Sequence, residues 1–478
     1  MSNSRARKHE MPVGVEWQKI LRFSLPLIFG QLFHQIYHAV DGIVVGRYVS
    51  QAALAAVGAC MPLTMLFFAF AMGLSAGAGI MVARYNDTKK YADVRKTSAT
   101  ALIVLGILGL FMTLFAWFGA KFLITNVLNI HVPEVRDMAI RYFQISSLGI
   151  WAIFLYDCMF SMVRPLGGSK TILFFMSLSA LVNLVLDIIF VVPLDMGITG
   201  AAIATVLTNI MSLLLGVIYM RKNYELLRFP LRELKIDVEK ARMIFHLALP
   251  AVFQQVILAI GTLFVHRAVN SFGEETMVAF TVGSRVDGFL FCAVFGFNHI
   301  VSHLTGQNIE SGRMERVKRT WLHGVLLTSV VTLITASAMY IFADEMTRLF
   351  GVSGEALHQS VDFICHNSMF FLLFAINGIT LAVMHGADDV VFTTSTLILS
   401  FAVRVVATYI CAYALNLGYE SLWLTIPFGW IVSAVLGHIR YFSGAWKKKA
   451  PVLLAHHHSS DHMESYESLE ELEEHFYE

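Results

Sequence analysis

Apolar stretches of roughly spanning length recur about twelve times along the chain, separated by short polar connections. They fall at 23–45, 53–83, 98–123, 138–163, 171–192, 198–220, 245–270, 276–306, 320–343, 358–384, 390–415 and 421–444. A helix needs about 20 apolar residues to cross a bilayer, so the longer stretches imply tilt or bending. The pattern predicts an all-α polytopic membrane protein with about 12 transmembrane helices.

The pattern also repeats. RFSLP at 22–26 is echoed by HLALP at 246–250, and Gln31 by Gln255. SQAALAAVGA (50–59) is matched by EETMVAFTVG (274–283), VRKT (94–97) by VKRT (317–320) and LGGSK (166–170) by HGADD (385–389). Each half holds six spans and begins on the same side, so the repeat is parallel and its pseudo-twofold axis follows the membrane normal. A cleft between the halves is then the natural place for a substrate. The expected division is an N-terminal segment 1–22, an N-lobe 23–220, a linker 221–244, a C-lobe 245–446 and a tail 447–478.

Composition agrees with this class: 56% of residues are hydrophobic, 14% are charged, and mean hydropathy is +0.65. A net charge of +1 carries no sign of a nucleic-acid partner. The placement of basic residues says more. They gather in the N-terminal tail, after the second span (Arg84, Lys89, Lys90, Arg95, Lys96), in the central connection, at 313–319 and at Lys447–Lys449. The positive-inside rule then puts both termini in the cytoplasm, with the first span an anchor and not a removable leader. Five cysteines sit singly in apolar stretches and read as small buried hydrophobes. The tail reads as a solvated acidic segment in which His456, His457 and His458 are a weak metal signal.

Inside the spans, polar groups are few and costly. Asp41 ends the run PLIFGQLFHQIYHAVD, in which His34, Tyr37, His38 and Asp41 share one helical arc, and Pro26 favours a kink below them. Counting 1.5 Å per residue from the span ends puts Asp41, Asn183, Asp187, Thr205 and Tyr142 about 7–15 Å below the outer surface. Together they make an oxygen-rich cage suited to a hard monovalent cation, or two carboxylates sharing a proton. His34 and His38 have the i, i+4 spacing of zinc ligands but no third partner, so no metal is expected and they read as a polar cleft wall that tunes Asp41. In the second half Arg285 and Asp287 are expected to pair structurally. Gln31, Gln255 and Asn377 are candidates for the substrate cleft. The 37 Phe and 22 Met suit varied apolar ligands.

At this point the chain resembles the multidrug and toxic compound extrusion (MATE) family. The resemblance runs from about Arg22 to Trp446 and rests on PLIFGQLFHQIYHAVDGIVVGR, ALAAVG, MGLSAGAG, RPLGGSKT, NLVLDIIF and MGITGAAIAT, with TGQN and MHGADD in the second half. It implies two pseudo-symmetric six-helix lobes in a V, in a bacterial cytoplasmic membrane. It also implies a monomer that exports drug-like compounds in exchange for Na⁺ or H⁺, without a cofactor. Asp41, Asn183, Asp187 and Thr205 match the family's N-lobe cation site, supported by Tyr37, Tyr142 and Pro26, as in its DinF-like branch. The acids that another branch carries in spans seven and ten are absent from PAVFQQVILAIG and FFLLFAINGITLAVMHG, which argues for one-sided coupling. His34, His38 and RYND (84–87) depart from the family pattern. Two rivals stand beside this reading. A lipid-linked precursor flippase would line its cleft with arginines, but intramembrane Arg is sparse (Arg267, Arg285, Arg404). A polytopic membrane enzyme would need a clustered acid/base or metal motif.

Overall fold

The computed structural model describes residues 16–228 and 235–448. The start of the N-terminal segment, part of the linker and the histidine-containing tail lie outside the described residues. The first half runs through α1 (Glu16–Tyr48), α2 (Gln51–Asp87), α3 (Tyr91–Phe122), α4 (Pro133–Ser147), α5 (Ile150–Val163), α6 (Ser169–Val191) and α7 (Gly197–Asn223). The second runs through α8 (Val238–Asn270), α9 (Glu274–Glu310), α10 (Met314–Ile341), a short α11 (Ala343–Leu349) and α12 (Gly354–Gly386). It ends with α13 (Val390–Tyr409), α14 (Ser421–Leu424) and α15 (Ile426–Phe442). No strand occurs among the described residues.

The internal repeat is visible in the opening helices. α1 and α8 each have 33 residues and an internal proline, Pro26 and Pro250, and α2 and α9 each have 37 residues. α1 runs unbroken through Pro26. Among the described residues, ten helices are long and apolar enough to cross a membrane. An eleventh span is the pair α4 and α5, bent by 45° within the stretch expected over 138–163. α1 has the length of a twelfth but is less apolar, because one of its faces carries the polar stripe.

Helix ends follow local chemistry. Ser50 Oγ caps α2 by accepting from the Ala53 amide at 3.0 Å, and Asp237 caps α8 by accepting from the amides of Glu239 and Lys240 at 3.1 Å each. Beside that second cap, Lys240 Nζ reaches Asp93 at 2.9 Å and the Tyr85 hydroxyl at 2.7 Å, tying the α2–α3 connection to the start of α8. The hydrogen bond from Lys240 holds the Asp93 carboxyl below its ordinary range.

α2 and α9 form the centre, each with 67% of its apolar stretch buried, against 17% for α8 and α13. The halves meet along two seams, α2 on α8 and α1 on α9. Glycines make this approach close: a Cβ on Gly77 would lie 2.4 Å from the Ile244 carbonyl oxygen, and one on Gly288 only 2.2 Å from Gln35. Lipid offers little hydrophobic drive for helix association, so such close backbone packing is what holds membrane helices together.

Candidate cation and substrate site

Regular helix geometry aims the site residues. On α1, Tyr37, His38 and Asp41 lie within one turn, and on α6 Asn183 and Asp187 stand four residues apart on one face. The Tyr37 hydroxyl donates to Asn183 Oδ1 and so joins α1 to α6. Asp187 is 1% exposed and its carboxyl faces that of Asp41. No donor among the described residues reaches either Asp187 oxygen. Tyr142 on α4 stands within electrostatic range of both acids. Thr205 on α7 donates its hydroxyl back to the Ala201 carbonyl at 3.0 Å and lines the cavity described below.

Arg285 departs from expectation. It does not pair with Asp287 but crosses from α9 to α1, where Nη1 donates to Asp41 Oδ2 at 3.0 Å and also to the His38 carbonyl oxygen. Gln35 Nε2 on α1 returns a hydrogen bond to the Arg285 carbonyl at 2.6 Å, and Gly42 leaves room for the guanidinium. Helical phase explains the correction: residues two apart on a helix point away from each other. Asp287 instead accepts from Asn367 Nδ2 at 2.5 Å, with half-buried Arg404 nearby.

A cavity of about 560 Å³ opens beside the cluster. Tyr37, His38, Asn183 and Thr205 line one part of it, and Gln254 and Gln255 reach it from α8. Gln255 is therefore placed as expected. Gln31 is exposed on α1 and is not part of this wall, while Asn377 is buried in the second half, donating to Ser433 Oγ at 2.8 Å. The side chain of His34 lies outside what is described. The cavity wall also holds an acid that the sequence reading passed over, Asp157 on α5.

A family model described as MatE matches residues 26–189 and 250–410, one segment in each half. The chain belongs to the MatE family. Its curated relatives include the probable multidrug resistance protein YoeA of Bacillus subtilis (strain 168), 24% identical over 442 residues, which are 91% of this chain and 95% of the relative. The multidrug export protein MepA of Staphylococcus aureus (strain NCTC 8325 / PS 47) is 23% identical over 378 residues, 76% of this chain and 79% of MepA. An inward-facing conformation of a multidrug resistance MATE family transporter superposes with a TM-score of 0.81 at 22% identity, covering 90% of this chain and 99% of that one. An outward-facing conformation of such a transporter gives 0.66 at 23% identity, covering 91% and 97%. This MatE protein thus has the two-lobed MATE fold and is a multi-pass membrane transporter, not an enzyme.

Proposed function

We propose that this protein exports organic compounds in exchange for Na⁺ or H⁺, with the coupling cation held by Asp41 and Asp187 in the N-lobe. Asn183, Thr205, Tyr37 and Tyr142 complete that site. The observation that carries the reading is the charge balance of the cluster. Two facing carboxylates share a single guanidinium, Arg285, and Asp187 receives no hydrogen bond of its own. In a low-dielectric span the pair keeps one uncompensated negative charge with the guanidinium in place and two with it withdrawn, so a proton or monovalent cation is held more tightly when Arg285 is away.

The direction of exchange follows from which half each group belongs to. The better fit to an inward-facing relative supports an inward-facing state here, with the α1–α9 seam closed toward the outside. In this state Arg285, carried by the C-lobe, neutralises Asp41. Opening to the outside draws α9 from α1 and removes Arg285, so the two acids attract a cation from outside. Closing brings the guanidinium back and weakens the hold on that cation, which leaves toward the cytoplasm. Such a difference in affinity between two states is what coupling requires. Both termini on the cytoplasmic side and lobes bounded near 221–244 complete the arrangement. The sparse arginines speak against a pyrophosphate-binding cleft: Arg285 holds Asp41, and Arg267 donates to the carbonyls of Asn126 and Val127 at 2.6 and 2.8 Å.

The test is export of a fluorescent organic substrate from proteoliposomes under imposed Na⁺ or pH gradients. Wild type should respond to at least one gradient and Asp41→Asn to neither. Full gradient-driven export by Asp41→Asn would remove Asp41 from the coupling site.

A further inference from the structure

The cavity wall carries one acid, Asp157, away from the Asp41–Asp187 pair that lies beside the cavity. Asp157 lies six residues before the end of α5, and Asn183 lies fourteen residues after the start of α6. Those two helix ends adjoin across the Arg164–Gly168 turn. At 1.5 Å per residue, Asp157 stands about 10 Å nearer that end of the cavity than Asn183 does. Its Oδ2 is buried with no hydrogen-bond partner among the described residues. Arg164, exposed where α5 ends, acts on it electrostatically across the cavity edge. Around this carboxylate the wall is aromatic and thioether: Phe68, Met72, Phe160 and Met176.

We infer that Asp157 is the residue of this chain that anchors the positive charge of an exported organic cation in this cavity. This rests on the export reading above and adds to it a separate residue for the substrate. A buried acid oxygen without a donor gains most from a cationic ligand, because a charge-assisted contact in a desolvated pocket replaces nothing made by the protein. The cavity volume falls in the range that encloses a drug-sized molecule, and the methionines adapt to different apolar bodies. Ligand charge is then recognised by Asp157 in the cavity wall, and coupling charge by the Asp41–Asp187 pair beside the cavity. Loss of Asp157 therefore changes which compounds bind without removing the cation site.

The experiment titrates the purified full-length transporter with ethidium, a monovalent organic cation, and with an uncharged dye of similar size. Asp157→Asn should weaken ethidium binding about tenfold or more and leave the uncharged dye within about twofold of wild type. Asp157→Glu, which keeps the charge, should bind ethidium more tightly than Asp157→Asn. Equal ethidium affinity in wild type and Asp157→Asn would overturn the assignment and leave the export reading standing. Equal loss for both dyes, with an unchanged melting temperature, would make Asp157 a shaping residue and overturn it as well. A wild type that neither binds nor exports any organic probe would overturn the export reading, and this inference with it.

Discussion

Replacing Asp187 by asparagine keeps its volume and removes one of two facing carboxylates, so the remaining acid is already matched by Arg285. Asp187→Asn should therefore bind substrate normally and lose gradient-driven export by about tenfold or more, measured as initial rates in proteoliposomes. Tyr37→Phe removes one hydrogen bond to Asn183, for which a loss of about 2- to 10-fold in apparent cation affinity is expected. Arg285→Lys keeps the charge but not the planar fork, and should turn over more slowly than wild type yet faster than Arg285→Gln. At this scale the sequence was partly legible. The cost of acids in apolar runs points to Asp41 and Asp187, helix depth adds Asn183 and Thr205, and the structure brings Asp41, Asn183 and Asp187 to one level between α1 and α6. Arg285 was misassigned because its partner lies 244 positions away in the chain, which no local spacing reveals. Asp157 obeys the same rule as Asp41, but no second acid, amide or imidazole shares its run IWAIFLYDCMFSMV to mark it.

The seams between helices decide how the halves separate. Gly288 lets Gln35 and α1 lie directly on α9, and a valine there would have to displace the Gln35 amide. Overpacking of this kind costs about 1–3 kcal/mol, all of it charged to the state in which the seam is closed. Gly288→Val should thus shift the transporter toward outward-open. Spin labels at Leu194 and Leu417, both exposed in connections at the end of the molecule where the α1–α9 seam carries Asp41 and Arg285, should report a longer mean distance. An unchanged distance distribution would show that the seam does not gate. At the opposite end, Asp93 and Lys240 join the α2–α3 connection to α8. Because the folded Asp93 is held below its usual range, its contribution is present at neutral pH and is lost as pH falls through that depressed value. Amide exchange at the start of α8 should accelerate on acidification in wild type, and should be fast and pH-independent, apart from intrinsic chemistry, in Asp93→Asn. The helices themselves were readable from hydropathy, including the duplication. The break between α4 and α5 was not, since the run from 138 to 163 is continuously spanning in character and only its packing bends it.

Across the whole molecule, two pseudo-symmetric halves carry unequal chemistry. The first half holds the facing acids and most of the cavity wall, while the second contributes the arginine, Gln254 and Gln255 of that wall, and a separate, hydrogen-bonded Asp287. In the proposed mechanism, coupling consists of moving one fixed positive charge on and off a carboxylate pair. Linkage requires the effect to be reciprocal: if a cation gradient moves substrate, a substrate gradient must move the cation. The most direct measurement is therefore cation flux driven by substrate alone, in proteoliposomes with no imposed ion gradient and with Na⁺ and H⁺ followed separately. Wild type should move one of the two ions opposite to the substrate, and Asp41→Asn and Asp187→Asn should move neither while still binding substrate. Substrate-driven ion flux that survives in both variants would contradict the account, because the coupling charge would then lie elsewhere.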